Sequence, residues 1–220
     1  MLVRFEKAPP ADAGDHREGT CSWCGFRAAS GIRSYAEDGG AEASACGPCF
    51  AARHADGLDP DLFRLAWIPE VPQADLAHLA RTVAVLLVRH GRGTDRRQRP
   101  EVIKISQSAL AVSNALARRA DGVTKATARI PGGVKGAAAA MEPGAADALM
   151  RGMRVLPVAF EADEVSGWVN DDSSLNGYGT DMLGKHSWFC ADLGLAVPPG
   201  STAPPDFGFP DSSEGDRSAA

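Results

Sequence analysis

Four cysteines in two short pairs, Cys21-Ser22-Trp23-Cys24 and Cys46-Gly47-Pro48-Cys49, are the residues whose types and spacing could do chemistry in this chain. A two-residue spacer lets both sulfurs of a pair reach one ion, and two such pairs supply the four thiolates of a closed tetrahedral zinc site. The 21 residues between Cys24 and Cys46 are enough for a hairpin that brings the pairs together. Gly25, directly after the first pair, can take the positive φ that turns backbone amides toward the sulfurs. Pro48 suits a first helical turn, which sets Cys49 at a helix start, where free amides and the dipole favour a thiolate. The reading is one structural Zn2+ held by Cys21, Cys24, Cys46 and Cys49, on a knuckle, a hairpin and then a helix, the plan of a treble clef.

Cys46-Gly-Pro-Cys49 is also the redox pair of thioredoxin-like proteins, but such a pair follows a long buried strand and opens a βαβ fold. The residues before Cys46, Gly39 to Ala45, are small and polar, so a dithiol site is the weaker reading. Cys190 is remote in sequence and is read as a buried or free thiol, not a fifth ligand.

The elements that must position the cysteines follow from pattern. Leu2 to Phe5 reads as a short strand and Pro9 to Gly19 as a polar lead. Gly31 to Tyr35 alternates like a hairpin arm, with Asp38-Gly39-Gly40 as the turn and Ala41 to Ala45 returning. The helix at Cys49 is expected to stop near Gly57, with Phe50 packed against Trp23 or Phe26 and His54 at the surface or capping. Leu62 to Glu70 reads as extended and apolar. A strong helix then runs from about Gln73 to His90, with Leu76, Leu79, Val83, Leu86 and Leu87 as its inner stripe. Val85 and Val88 widen that stripe so far that the helix must be covered nearly all round, and Gly91 and Gly93 end it.

Beyond a charged loop over residues 92–99, Pro100-Glu101 opens a helix expected to reach Arg119 and to stop at Asp121-Gly122. Arg118 and Arg119 would then sit in its last turn, complementing the dipole. Ile130 to Gly133 is a break, the alanine-rich run Gly136 to Met141 is uninformative, and Ala145 to Met153 is a short helix. Arg154 to Phe160 is extended, Trp168, Trp188 and Phe189 are apolar anchors, and the Pro, Gly, Ser and Asp content from Pro198 onward describes a disordered tail.

Charge is segregated. Residues 1–80 carry 7 Lys+Arg against 12 Asp+Glu, residues 81–135 carry 12 against 3, and residues 136–220 carry 4 against 13. No aromatic residue interleaves the basic stretch as a base-stacking surface would want, so mutual neutralisation is favoured over a nucleic-acid surface. The N-terminus lacks the apolar region of a signal peptide, and the longest strongly apolar run, Val83 to Val88, is far too short to span a bilayer. Paired thiols without an export signal point to the cytoplasm. There is no Gly-x-Ser-x-Gly, phosphate loop, dinucleotide fingerprint or carboxylate pair with acid-base spacing.

The two cysteine pairs followed by Trp67-Ile68-Pro69-Glu70, Gln73, Leu76 and a long apolar helix resemble the IcmJ/DotN family of type IVB secretion and conjugation machinery. The resemblance covers roughly residues 19–91, with a weaker echo at Arg154-Val155-Leu156-Pro157 and Trp168. It implies an HNH-nuclease-like treble clef used as a non-catalytic zinc-bearing part of a coupling complex, beside an ATPase that receives substrates. A functioning HNH site needs a general-base histidine on its hairpin. None lies between Cys24 and Cys46, Phe50 stands where many such proteins place a metal-binding histidine, and Glu37 and Asp38 read as turn residues.

The sequence therefore predicts an α+β protein, with a treble-clef zinc region over residues 1–70, a mostly helical remainder over 71–197 and a disordered tail over 198–220. Expected is a non-enzymatic zinc subunit with protein partners that include the secretion ATPase. Its location would be cytoplasmic, with attachment at the inner membrane only through partners. The alternative is a zinc-finger nucleic-acid-binding protein that uses Arg89 to Arg99 as its phosphate surface.

Overall fold

Three short antiparallel strands grow out of the segment around the cysteines in the computed structural model, which describes residues 3–5, 17–36, 42–56, 58–90, 99–160, 164–166 and 168. The order is β1 (Arg17–Thr20), β2 (Arg27–Ala36), β3 (Glu42–Cys46), with β2 in the middle. β2 and β3 pair antiparallel, from Ile32 opposite Cys46 to Ala36 opposite Glu42. β1 lies within the stretch expected to be a polar lead. It pairs Thr20 with Arg27 and Gly19 with Ala28, and its polar composition reflects an edge strand with one neighbour.

Cys46 ends β3 and caps α1 (Gly47–Arg53), which has Pro48 in its first turn. α1 stops at Arg53, short of Gly57, because His54 leaves helical geometry and enters an isolated bridge with Phe5. That bridge is what remains of the expected N-terminal strand. Its bonds run from Arg4 N–H to the Ala52 carbonyl at 2.9 Å and from Ala55 N–H to the Arg4 carbonyl at 2.9 Å. His54 caps the helix as expected but is buried, packed on Phe50 and Tyr35 at ring separations of 4.5 and 5.3 Å. Phe50 meets Tyr35 edge-on as well.

β4 (Phe63–Trp67) pairs antiparallel with β5 (Met153–Pro157), from Phe63 opposite Pro157 to Trp67 opposite Met153. This ribbon joins the region before residue 70 to the chain far beyond it. Its alternation feeds two cores: Ala66 and Leu156 belong to one, Trp67, Met153 and Val155 to the other. Gly152 lets the Trp67 ring lie on the backbone, since a Cβ there would come within 2.2 Å of the indole. The residues that carried the family resemblance gather at this ribbon. The Gln73 amide donates to the Val155 carbonyl at 2.8 Å and accepts from Val155 N–H at 2.9 Å. Arg154 donates to the carbonyls of Val71, Arg151 and Met153 at 2.6, 2.6 and 2.7 Å, and burial lowers its pKa.

α2 (Gln73–His90) and α3 (Pro100–Thr127) pack against each other and against β4 and β5. Leu76, Leu79, Val83 and Leu86 of α2 meet Ala109, Val112, Leu116 and Ala120 of α3. α3 does not stop at Asp121-Gly122. Gly122 costs a helix about 1 kcal/mol, but one turn of continuation buries Val123 at 4 % exposure against Trp67 and Leu149. Thr124 and Thr127 bond back to the carbonyls of Ala120 and Val123. Arg119 is therefore two turns from the helix end and does not serve the dipole. It donates to the Trp67 carbonyl at 3.3 Å and to the Glu70 carboxylate at 3.1 Å.

The alanine-rich run forms α4 (Gly133–Ala140), as alanine propensity favours, and α5 (Pro143–Gly152) follows. Glu37, Asp38 and the hairpin turn, Gly91, Gly93 and the loop over 92–98, Trp188, Phe189, Cys190 and the tail from 198 lie outside the described residues. Among the described residues no helix is long and apolar enough to cross a membrane.

Candidate metal centre

The four sequence-predicted ligands come together: the Sγ atoms of Cys21, Cys24, Cys46 and Cys49 all lie within 4.8 Å of one another. Two parts of the chain bring them there. In the first, Cys21 N–H donates to the Phe26 carbonyl at 2.8 Å and Gly25 N–H to the Cys21 carbonyl at 3.0 Å. This knuckle requires Gly25 at φ 70°. In the second, the β3-to-α1 junction sets Cys46 at the helix cap and Cys49 in the first turn. Ser22 ties the halves together, its N–H donating to the Ser44 carbonyl at 2.8 Å and its Oγ accepting from Ser44 N–H at 3.3 Å.

Cys21, Cys46 and Cys49 are buried and Cys24 is half-buried, none in a disulfide. Cys24 and Cys46 bring their sulfurs to 3.6 Å. Sulfurs at zinc-bond length around a tetrahedral ion stand ~3.8 Å apart, so the Cys24–Cys46 separation matches that spacing and the set as a whole, within 4.8 Å, is compatible with a metal site. Its protons divide unevenly. Cys24 is pulled far below the ordinary thiol range by bonds with Cys21, Cys46 and Cys49. At Cys21 the bond with Cys24 acts upward, but those with Cys46 and Cys49 outweigh it and bring the thiol down to about 6. Burial pushes Cys46 up, and bonds with Cys21, Cys24 and Cys46 push Cys49 up. Four thiolates cannot share this volume without a cation; a dication would release the remaining protons and bind all four.

The donor set fits such an ion. Among the described residues this is the one group of three or more His, Cys, Asp or Glu side chains with metal-binding proximity, and all four donors are soft sulfurs. Four protein donors around one ion would close the site, as in structural centres.

Pattern reading missed the second wall of the site. α2 turns two faces inward. Leu76, Leu79 and Val83 point to the helical core, while His78, Arg81 and Val85, each two positions and hence ~200° further round, face the cysteines. His78 is 4 % exposed, with Nε2 2.7 Å from the Cys24 carbonyl. Arg81 is 1 % exposed, with its guanidinium carbon 3.9 Å from the Phe26 ring centre and 5.8 Å from that of Trp168. The helix is thus covered nearly all round over its middle, partly through polar residues. The cover stops at Val88, which is 60 % exposed. The available signal was the His78, Arg81, Val85 spacing of three and four, which repeats the leucine stripe two positions on.

Two further arginines surround the cluster, Arg53 over Trp23 at 5.5 Å and Arg33 over Phe50 at 5.1 Å. Compared with family models, with curated proteins and with solved structures, the chain matches none.

Proposed function

We propose that this chain is a non-catalytic zinc protein of treble-clef type that serves as an accessory subunit of a type IV secretion or conjugation coupling complex. The convergence of four sulfurs in one enclosed cluster carries the zinc part of this reading. The strand, knuckle, hairpin and helix order around them supports the treble clef. The coupling-complex part rests on the resemblance to the IcmJ/DotN family. The residues behind it, Trp67, Glu70, Gln73 and Arg154, occupy one connected set of contacts that holds the cysteine-bearing region to the helices.

A protein partner has a surface suited to it. Val88 and Val158, 60 % and 39 % exposed, flank an apolar groove that Val83, Leu87, Leu116 and Phe160 also line. α2 runs from this groove into the basic sequence Arg89 to Arg99. The fitting occupant is an acidic, partly apolar segment of the secretion ATPase, the arginines steering association.

Metal analysis of the purified chain tests the first part, with one zinc per chain expected and less than about half an equivalent fatal to it. A pull-down with the ATPase tests the second. The partner should stay bound to a chain ending at Val197 and be lost when Arg92, Arg96 and Arg97 are all changed to Glu. The opposite pattern would make the tail the binding element. Plasmid DNA should survive incubation with the protein and divalent metal; cleavage that persists through repurification would mean an enzyme, and salt-dependent retardation of DNA would favour a nucleic-acid-binding protein.

A further inference from the structure

The four cysteines are not equally sheltered. Cys21, Cys46 and Cys49 are buried and Cys24 is half-buried, so Cys24 is the member of the set that a small solute reaches from solvent. Cys46, which belongs to the other pair, holds its sulfur 3.6 Å from that of Cys24. A disulfide needs ~2.05 Å, a closure of about 1.5 Å that lies within the reach of side-chain rotation. The backbones on either side are tied without help from the sulfurs. Ser22, two residues before Cys24, donates its N–H to the carbonyl of Ser44, two residues before Cys46, at 2.8 Å. Its Oγ accepts from Ser44 N–H at 3.3 Å. Departure of an ion from between the pairs would therefore leave these two sulfurs facing each other. A thiol that solvent reaches, with a second sulfur close by to resolve it, is where mild oxidation ends in a disulfide and not in a higher acid.

We propose that the cysteine cluster is a redox switch, in which a hydroperoxide joins Cys24 to Cys46 and the metal is released. The Cys24 thiolate attacks the peroxide, the O–O bond breaks, an alkoxide or hydroxide leaves, and Cys24 becomes a sulfenic acid. The Cys46 thiolate then attacks the Cys24 sulfur, the S–O bond breaks, hydroxide leaves, and the S–S bond forms. Two electrons pass from the two sulfurs to the peroxide. Cys21 and Cys49 remain as the only free donors of the four, too few to keep a closed set around an ion. The new bridge links residues 22 positions apart, one in the knuckle and one at the β3-to-α1 junction, the two halves that a shared ion would join. The hairpin therefore stays tied in the oxidised chain. A bridge within either pair would leave the halves separate.

This inference rests on the zinc reading, and its test separates the two. The zinc-loaded chain carrying Cys190→Ser, which removes the cysteine outside the described residues, is titrated with hydrogen peroxide. Released zinc is followed with a chromogenic chelator, free thiols are counted, and linked peptides are mapped by mass spectrometry. Zinc should leave in step with the loss of two of the four thiols, with Cys24 joined to Cys46 in the product. A sulfenic-acid trap present during the reaction should label Cys24, and a thiol reductant with fresh zinc should restore the starting state. Thiols that survive a large excess of peroxide, zinc that stays bound as thiols disappear, any bridge other than Cys24 to Cys46, or a trap label on a buried cysteine in place of Cys24 would each overturn the proposal. None of these outcomes removes the zinc found in the loaded chain. A chain that takes up no zinc overturns the metal reading, and the exchange of metal for disulfide with it.

Discussion

Each of the four cysteines does the same work from a different backbone setting, and none has a spare. Exchanging any one for serine removes a soft ligand from a closed set and leaves three sulfurs in a volume shaped for four. Cys21→Ser, Cys24→Ser, Cys46→Ser and Cys49→Ser should therefore each retain less than half an equivalent of metal and melt lower, as metal analysis and thermal denaturation would show. Gln73 offers a different single-residue test. Its amide satisfies both polar groups of Val155, so Gln73→Leu keeps the volume but strands a buried N–H and a buried carbonyl. The expected loss is about 2–4 kcal/mol by urea denaturation, against near neutrality for an exposed glutamine.

Among the elements, those defined by local chemistry were legible in the sequence and those defined by distant contact were not. Cysteine spacing, Gly25, Pro48 and the leucine repeat of α2 each constrain their own neighbourhood, and the knuckle, the start of α1 and α2 lie where these signals put them. β1 was hidden because its residues are polar, and pairing with β2, not composition, makes it a strand. The end of α3 was misplaced for a related reason: Asp121-Gly122 is a local stop signal, overridden by the burial of Val123 against elements that precede and follow it. That override predicts a sign. Gly122 is exposed within the helix and a Cβ added there meets nothing, so Gly122→Ala should stabilise the protein by about 0.5–1 kcal/mol, raising the denaturation midpoint.

At the scale of the whole molecule, three hydrophobic clusters share walls, with α2 between the helical core and the cysteine cluster and the β4–β5 ribbon between the helical core and the cluster around Trp67. Loss of the metal should not stay local. Treatment with a strong chelator should lower the melting temperature and expose four additional thiols per chain to a thiol reagent, with α2 amides near His78 and Arg81 losing protection in hydrogen exchange. A change confined to the knuckle amides would mean that the clusters are energetically separate. The shared ribbon also sets a timetable. Gln73 and Val155 are 82 residues apart, and β4 precedes its partner strand by a similar stretch. A ribosome adding ~5–20 residues per second needs on the order of ten seconds to cover that interval. Throughout it the cysteine-bearing strands are already outside and able to take metal, while β4 waits with a bare edge and an uncovered Trp67. The cysteine-bearing region can be the first part of the nascent chain to become native, and β5 the part that closes the molecule around it.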